Sequence, residues 1–292
     1  MSNQHYQQFF DWVAASVPEA IALVEPMQIA PLAGDAGFRR YYRTNTVPSL
    51  VAVDSPPAKE NNSAYLNISH ALQSQMVRTP IIYAVNAEQG FMLLEDFGEQ
   101  LLLPALNQQS VDSLYGQAET CLLQIQQLLP NEQIFPSYNS ARLRDEMALF
   151  PQWFVGELLG SSLHQDETAM LERLFTCLVE NALQQPQVLV HRDYHSRNLM
   201  LLADGDMGVI DFQDAVWGPV TYDLVSLLKD CYIRWPATMV RQRALAFKQR
   251  LLTADPGLDI EDQQFLRWFD LMGLQLSLIH ISEPTRQEAI SY

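Results

Sequence analysis

An aspartate, an asparagine five residues on and a second aspartate thirteen residues further are the side chains in this 292-residue sequence whose types and spacing suit chemistry. They lie in His191-Arg192-Asp193-Tyr194-His195-Ser196-Arg197-Asn198 and in Val209-Ile210-Asp211-Phe212-Gln213. Phosphoryl transfer needs such a set. One carboxylate orients the attacking hydroxyl and takes its proton, and hard oxygen ligands hold Mg2+ against the phosphates of ATP. Asp193 suits the base, and Asn198 with Asp211 suits the metal, the amide oxygen adding a ligand without another full negative charge. Taken singly, each of these residues is an ordinary turn former; the joint spacing is what argues for a site.

Position has to come from the flanking apolar runs. Val188-Leu189-Val190 reads as a strand that delivers the first loop, Met200-Leu201-Leu202 follows it, and Met207 to Ile210 leads to the second acid. Around this β-rich island the pattern has helical period: Ser110 to Leu129, Ala141 to Leu159, Glu167 to Leu183, Ala237 to Leu252 and Ile260 to about Gln275. Before Gly98 the character differs. A helix over Tyr6 to Ser16 precedes strands at Met27–Leu32, Phe38–Thr44 and Ser49–Val53, a helix at Glu60–Gln75, and strands at Pro80–Ala84 and Gly90–Leu94. The expected fold is α+β, with a small mixed lobe over residues 1–98 preceding a larger, mainly helical catalytic and acceptor-binding lobe over 99–275.

Composition narrows the ligand. Acids number 34 against 18 bases, a formal charge of −16, and only Lys59, Lys229 and Lys248 are lysines. Such a surface repels nucleic acid and anionic lipid, whose recognition rests on clustered Lys and Arg. A phosphorylated ligand then needs a cation or backbone N–H groups nearby. No run approaches the ~18 apolar residues of a spanning helix, and Cys121, Cys177 and Cys231 form no CxxC pair. A cytoplasmic setting is expected, without nucleic-acid or membrane partners; the oligomeric state is open.

The HRD tripeptide with an asparagine five residues after its aspartate, followed by a metal-binding aspartate, is also the arrangement of the protein-kinase signature. With HRDYHSRNLM, IDFQDAVWGPVTYDLVSLLKDCY and the upstream GDAGFRRYYR, the sequence resembles the aminoglycoside phosphotransferase and choline kinase superfamily. Within it, the sequence is most similar to the bacterial N-acetylmuramate/N-acetylglucosamine anomeric kinases, over about Gln4 to Gln275. The resemblance implies a bilobal protein-kinase-like fold. It implies Asp193 as catalytic base, Asn198 and Asp211 as Mg2+ ligands, and Glu95 to Gly98, with Glu95 and Phe97, as the hinge beside the adenine of ATP. The acceptor it implies is a small amino sugar, phosphorylated for cell-wall recycling.

The small lobe departs from that pattern. A phosphate-clamping lysine is expected near the end of Val51-Ala52-Val53, yet Asp54 follows. The substitutes within reach are backbone N–H groups of Gly34 to Gly37, Arg39 or Arg40, and Lys59 at the start of a helix; the competing reading makes the arginines solvated strand charges. In the second lobe, Tyr138, Arg142, Glu146, Phe150 and Trp153 recur at helical spacing, as either a sugar-facing or a core stripe. His195 has a structural and a phosphate-sensing reading. Asp214 reads as an acid behind the metal ligands, or an additional one. Asp223 suits an N-cap or an anchor for the Asp193 loop.

The segment Leu276 to Tyr292 stands apart. Pro284 stops any regular element, Leu276 to Ile281 show no clear helical stripe, and LSLIHISEPTR resembles the translated read-through of a sequencing adapter. The expectation is a non-native tail that does not continue the preceding helix.

Overall fold

The computed structural model describes residues 3–32 and 38–281. The Gly34 and Gly37 turn and the segment after Ile281 lie outside the described residues.

Strands β1 (Ile29–Pro31), β2 (Arg40–Thr44), β3 (Leu50–Asp54), β4 (Ile82–Asn86) and β5 (Phe91–Glu95) form one antiparallel sheet in the order β1-β2-β3-β5-β4. Alternation along these strands sends successive side chains to opposite faces. Leu50, Ala52, Phe91 and Leu93 meet Phe9 and Val13 of helix α1 (Asn3–Ser16) in a core of their own. Val53, Met92 and Leu94 join Tyr65, Ile68 and Leu72 of helix α2 (Asn62–Ser74) on the other side. The start of α2 is capped by Asn61, whose side chain accepts from the Ala64 N–H at 3.0 Å. Gly90 closes the β4–β5 turn with φ +75°; a Cβ there would lie 2.0 Å from the Ser55 carbonyl oxygen, so no side chain fits.

The rest of the chain is mainly helical: α3 (Leu102–Ala105), α4 (Val111–Gln126), α5 (Ser140–Met147), α6 (Gln165–Leu183), α7 (Tyr222–Leu228), α8 (Ala237–Ala254) and α9 (Asp262–His280). Two short antiparallel pairs are embedded in it. Strand β6 (Gln187–Val190) pairs with β9 (Val216–Pro219), and β7 (Leu199–Leu201) pairs with β8 (Met207–Val209). The main apolar core runs through both parts, from Val53 and Tyr65 to Phe269 and Ile279.

Two expectations need correction. Ala141 to Leu159 is not one helix. It ends as α5 at Met147 and resumes as a π-helical segment, Phe150–Leu158. Pro151 explains the break, since it lacks an N–H and its ring opposes the carbonyl four residues back, that of Met147. Nor does helical structure stop at Gln275. Phe265, Trp268, Phe269, Met272, Leu276 and Ile279 are all buried, a stripe at 3–4 residue spacing that carries α9 to His280.

The strap between the two parts is laced to the β7–β8 hairpin. The Leu201 N–H donates to the Gln100 carbonyl at 2.8 Å, the Val209 N–H to the Arg78 carbonyl at 2.8 Å, and the Leu103 N–H to the Ser196 carbonyl at 3.0 Å. Phe97 lies against Gly208, where an added Cβ would come within 2.7 Å of its ring.

Candidate active site

Strand β6 ends at Val190, and the loop it delivers is fastened from three directions. The buried Asp223 carboxylate, at the start of α7, accepts the N–H groups of His191 at 2.7 Å and Arg192 at 3.0 Å. Asp230 accepts both the backbone N–H and the hydroxyl of Ser196. The His191 ring contacts the Ile210 carbonyl through Nε2 at 3.0 Å, while its Nδ1 accepts the Asp193 N–H at 3.2 Å. With Nδ1 accepting, Nε2 carries the proton. Burial pushes the His191 pKa down to about 4, so the ring is neutral at pH 7. Burial also pushes Asp223 up to about 7, against the opposing pull of the two amides it accepts.

These anchors hold two non-glycine residues in the left-handed region, Arg192 at φ +79° and Asp211 at φ +65°. Such backbone costs about 1 kcal/mol or more per residue and persists only where the surroundings impose it. Its effect is to turn the loop after β6 and the loop after β8 toward each other. The Ile210 N–H donates to the Asn198 carbonyl at 3.1 Å, extending the hairpin. The Asn198 amide then donates to the Asp193 carbonyl at 3.0 Å and lies 3.4 Å from Asp211 Oδ2. Asp211 Oδ1 accepts from Gln213 at 2.6 Å. Since Asn198 commits its NH2 group, its oxygen is the end left for a ligand. The structure therefore brings the backbone of Asp193 together with the side chains of Asn198 and Asp211.

The other sequence-derived candidates are placed as follows. Glu146 faces the loop: its carboxylate takes the Arg192 guanidinium at 2.6 Å and the Tyr138 hydroxyl. Tyr138 is core, and Trp153 is half-buried in the π-helical segment. His195 packs edge-on against Tyr232 with ring centroids 5.5 Å apart, and burial lowers its pKa. Asp214 is exposed. In the expected hinge segment, Glu95 is committed to Arg78 through both oxygens, at 2.8 and 3.2 Å, and Phe97 lies beneath the Arg78 guanidinium at 5.4 Å. Asp96 accepts from Arg43, Ser49 and the Gly98 N–H; although burial alone would raise its pKa, these bonds bring it below the usual carboxylate range.

On the small-sheet side, Arg39 is buried beside Ser55 and Glu60. Arg40 is exposed and pairs in register with Asp54, on the α1 side of the sheet with Tyr42. Lys59 is exposed, with its ammonium 5.2 Å from the Phe38 ring centroid. Sequence reasoning gave no role to Arg78, Asp230, Glu60 or Tyr65. Each acts through a partner 17 to 147 residues away, and no local period or motif signals such a pairing.

The donor set fits Mg2+. That ion is bound through one or two carboxylates together with substrate phosphates and water, not by a cage of protein ligands. Asn198 and Asp211 supply one amide oxygen and one carboxylate, and no group of three or more His, Cys, Asp or Glu side chains suited to a metal occurs among the described residues. No helix among them is long and apolar enough to cross a membrane.

A sequence profile of the Phosphotransferase enzyme family matches residues 28–278. The N-acetylmuramate/N-acetylglucosamine kinase of Pseudomonas putida KT2440 is 42% identical over 245 residues, covering 84% of this chain and 72% of the relative. The protein of the same name from Pseudomonas aeruginosa PAO1 is 37% identical, covering 94% and 83%. Among solved structures, the streptomycin-ATP-APH(2")-IIa ternary complex superposes with a TM-score of 0.65 at 15% identity, covering 96% of this chain and 90% of that one. At that identity the likeness concerns the fold.

Proposed function

The chain belongs to the phosphotransferase enzyme family, and from that premise we propose that it transfers the γ-phosphoryl group of ATP to the anomeric hydroxyl of N-acetylmuramate or N-acetylglucosamine, yielding the sugar 1-phosphate. The observation that carries this reading is the Asn198 amide, which ties the backbone of Asp193 to the carboxylate of Asp211.

Asp193 is the base. Its loop is fixed by Asp223, Asp230 and the neutral His191 ring, so the backbone that carries the carboxylate is set before an acceptor arrives, and preorganisation of this kind is what lowers the barrier. Asn198 and Asp211 are the residues that would hold Mg2+, which when bound shields the charge on the phosphates. Gln213 holds Asp211 through Oδ1 and leaves its other oxygen on the Asn198 side. The strap from Glu95 to Gly98 is the adenine side. Residues 1–98 then serve the nucleotide and residues 99–275 the acceptor, in a cytoplasmic enzyme of cell-wall recycling.

Acceptor turnover tests the proposal. Coupled ADP release should be measured with both amino sugars and wild-type protein, then with Asp193→Asn. We expect a fall in kcat of about 10^3-fold, within the range for loss of a general base, with little change in thermal stability. A folded Asp193→Asn protein with wild-type kcat would overturn the assignment. The charge of −16 favours one rival, a cationic acceptor such as an aminoglycoside or choline. Turnover of those compounds in preference to the amino sugars would replace the first reading.

A further inference from the structure

The strand on which a phosphate-clamping lysine is expected presents no cation. Val51 and Val53 occupy the face of β3 that meets the main core, and Asp54 is on the other face, where its carboxylate takes the His5 ring at 3.1 Å. ATP has a strongly anionic triphosphate, and the chain as a whole carries 34 acids against 18 bases. Some cation of the small sheet must face the phosphates if ATP is to bind well.

The described cations of that region differ sharply in what already holds them. Arg43 is consumed by Asp96, Glu99 and the Gly98 carbonyl. Arg78 is consumed by Glu95. Arg40 lies on the α1 side, and Lys59 stands in solvent over Phe38. Arg39 is also ion-paired but keeps one terminal nitrogen outside its pair. It precedes β2, in line with Ser55 across the ladder, and is 8% exposed. Its Nε donates to the Ser55 hydroxyl at 3.2 Å, its Nη2 lies 3.2 Å from Glu60, and its guanidinium sits over the Tyr65 ring at 5.6 Å. Nη1 is the nitrogen these contacts do not account for. Tyr65 in turn stacks on Phe212 at 4.9 Å, and Phe212 directly follows Asp211. Glu60 also accepts the Phe38 N–H at 3.0 Å, so the residue that aligns Arg39 fixes the chain as it leaves residues 33–37 as well.

We propose that Arg39, aligned by Glu60 and supported on Tyr65, is the cation that holds the nucleotide phosphates, supplied from the start of β2 in place of a lysine on β3. The assignment rests on the reading of this protein as an ATP-dependent kinase. An arginine here has a consequence that a lysine would not. Its planar fork serves Glu60, Ser55 and a phosphate oxygen at once, so lysine should be a poor replacement.

The test compares binding of Mg-ADP and of adenosine to the full chain by calorimetry, because only ADP carries the phosphates. Wild-type protein should prefer ADP. Arg39→Gln should lower ADP affinity by about 10- to 100-fold, the scale of a charge-assisted hydrogen bond, and leave adenosine affinity unchanged. Arg39→Lys and Glu60→Gln should each lose part of the preference for ADP and keep adenosine affinity. If Arg39→Gln does not fold, these two variants carry the test. Folded variants with the wild-type ratio of ADP to adenosine affinity would overturn the role of Arg39 while leaving the kinase reading intact. A wild-type protein that binds ADP no better than adenosine would remove the kinase reading itself, and the assignment with it.

Discussion

The loop after β6 and the small sheet are built in opposite ways. The loop carrying Asp193 and Asn198 is held by buried carboxylates, a neutral histidine and left-handed backbone, nearly all within one stretch from β6 to α7. On the small-sheet side the proposed phosphate cation is aligned by a single ion pair, Arg39 with Glu60, standing on an aromatic ring. The difference separates two requirements. A base must be held to within a fraction of an ångström, which calls for redundant anchoring. A flexible, charged triphosphate can be held by a single well-aligned cation. Disturbance of the first side should therefore appear as lost stability and kcat, and disturbance of the second as lost nucleotide affinity.

The contrast is tested most strongly at Asp223. Replacement by alanine leaves the N–H groups of His191 and Arg192 buried without acceptors, and at about 1–3 kcal/mol each the expected loss is about 4 kcal/mol, read from the denaturant midpoint. A loss below about 1 kcal/mol would mean that the loop is not anchored from α7.

His191 gives the next largest effect, and its sign follows from the direction of the shift. Its folded pKa of about 4 lies below the ordinary value of 6.5, so its contribution is present above pH 6.5 and lost as pH falls through 4. That amounts to about 3 kcal/mol across the window. Asp223 works the other way. Raised to about 7, it favours the folded state when protonated, a contribution lost as pH rises from the usual 3.8 through 7. The two slopes oppose each other between pH 4 and 6.5. The stability advantage of wild type over His191→Gln should grow as pH rises through that window; an advantage independent of pH would show that the ring is not held neutral.

Glu146 is expected to give the smallest effect. Glu146→Gln keeps the contact with Tyr138 but removes the charge facing Arg192, and should lower kcat by about two- to fivefold, the scale of one partly exposed ion pair. Affinity for ATP should stay as it was. A change confined to acceptor KM would instead return Glu146 to the sugar side.

How much of this was legible beforehand depended on whether the partners are neighbours in the chain. Asp193, Asn198 and Asp211 lie within nineteen consecutive residues and are flanked by apolar strands, so spacing alone pointed to them. The small sheet was equally readable, because its strands alternate between two buried faces. Arg39 could not be told from Arg40 by sequence, since the decision rests on which face of β2 meets Glu60, twenty-one residues away. Asp230 and Arg78 were invisible for the same reason. The continuation of α9 was missed where the stripe was in fact present: Leu276 and Ile279 extend the spacing of Phe269 and Met272. Pro151, by contrast, stood in plain view as a helix breaker and was overlooked inside a strongly apolar run.

The lacing of the interlobe strap onto β7 and β8 bears on how such a molecule can move. Asn198 and Asp211 flank the two ends of that hairpin, and Gln100 and Arg78 bind it edge-on. If the sheet swings to admit or release a nucleotide, the hairpin should act as the anvil and the sheet as the hammer. The spacing between the two oxygen ligands would then be the same in open and shut states, and only the approach of Arg39 would change.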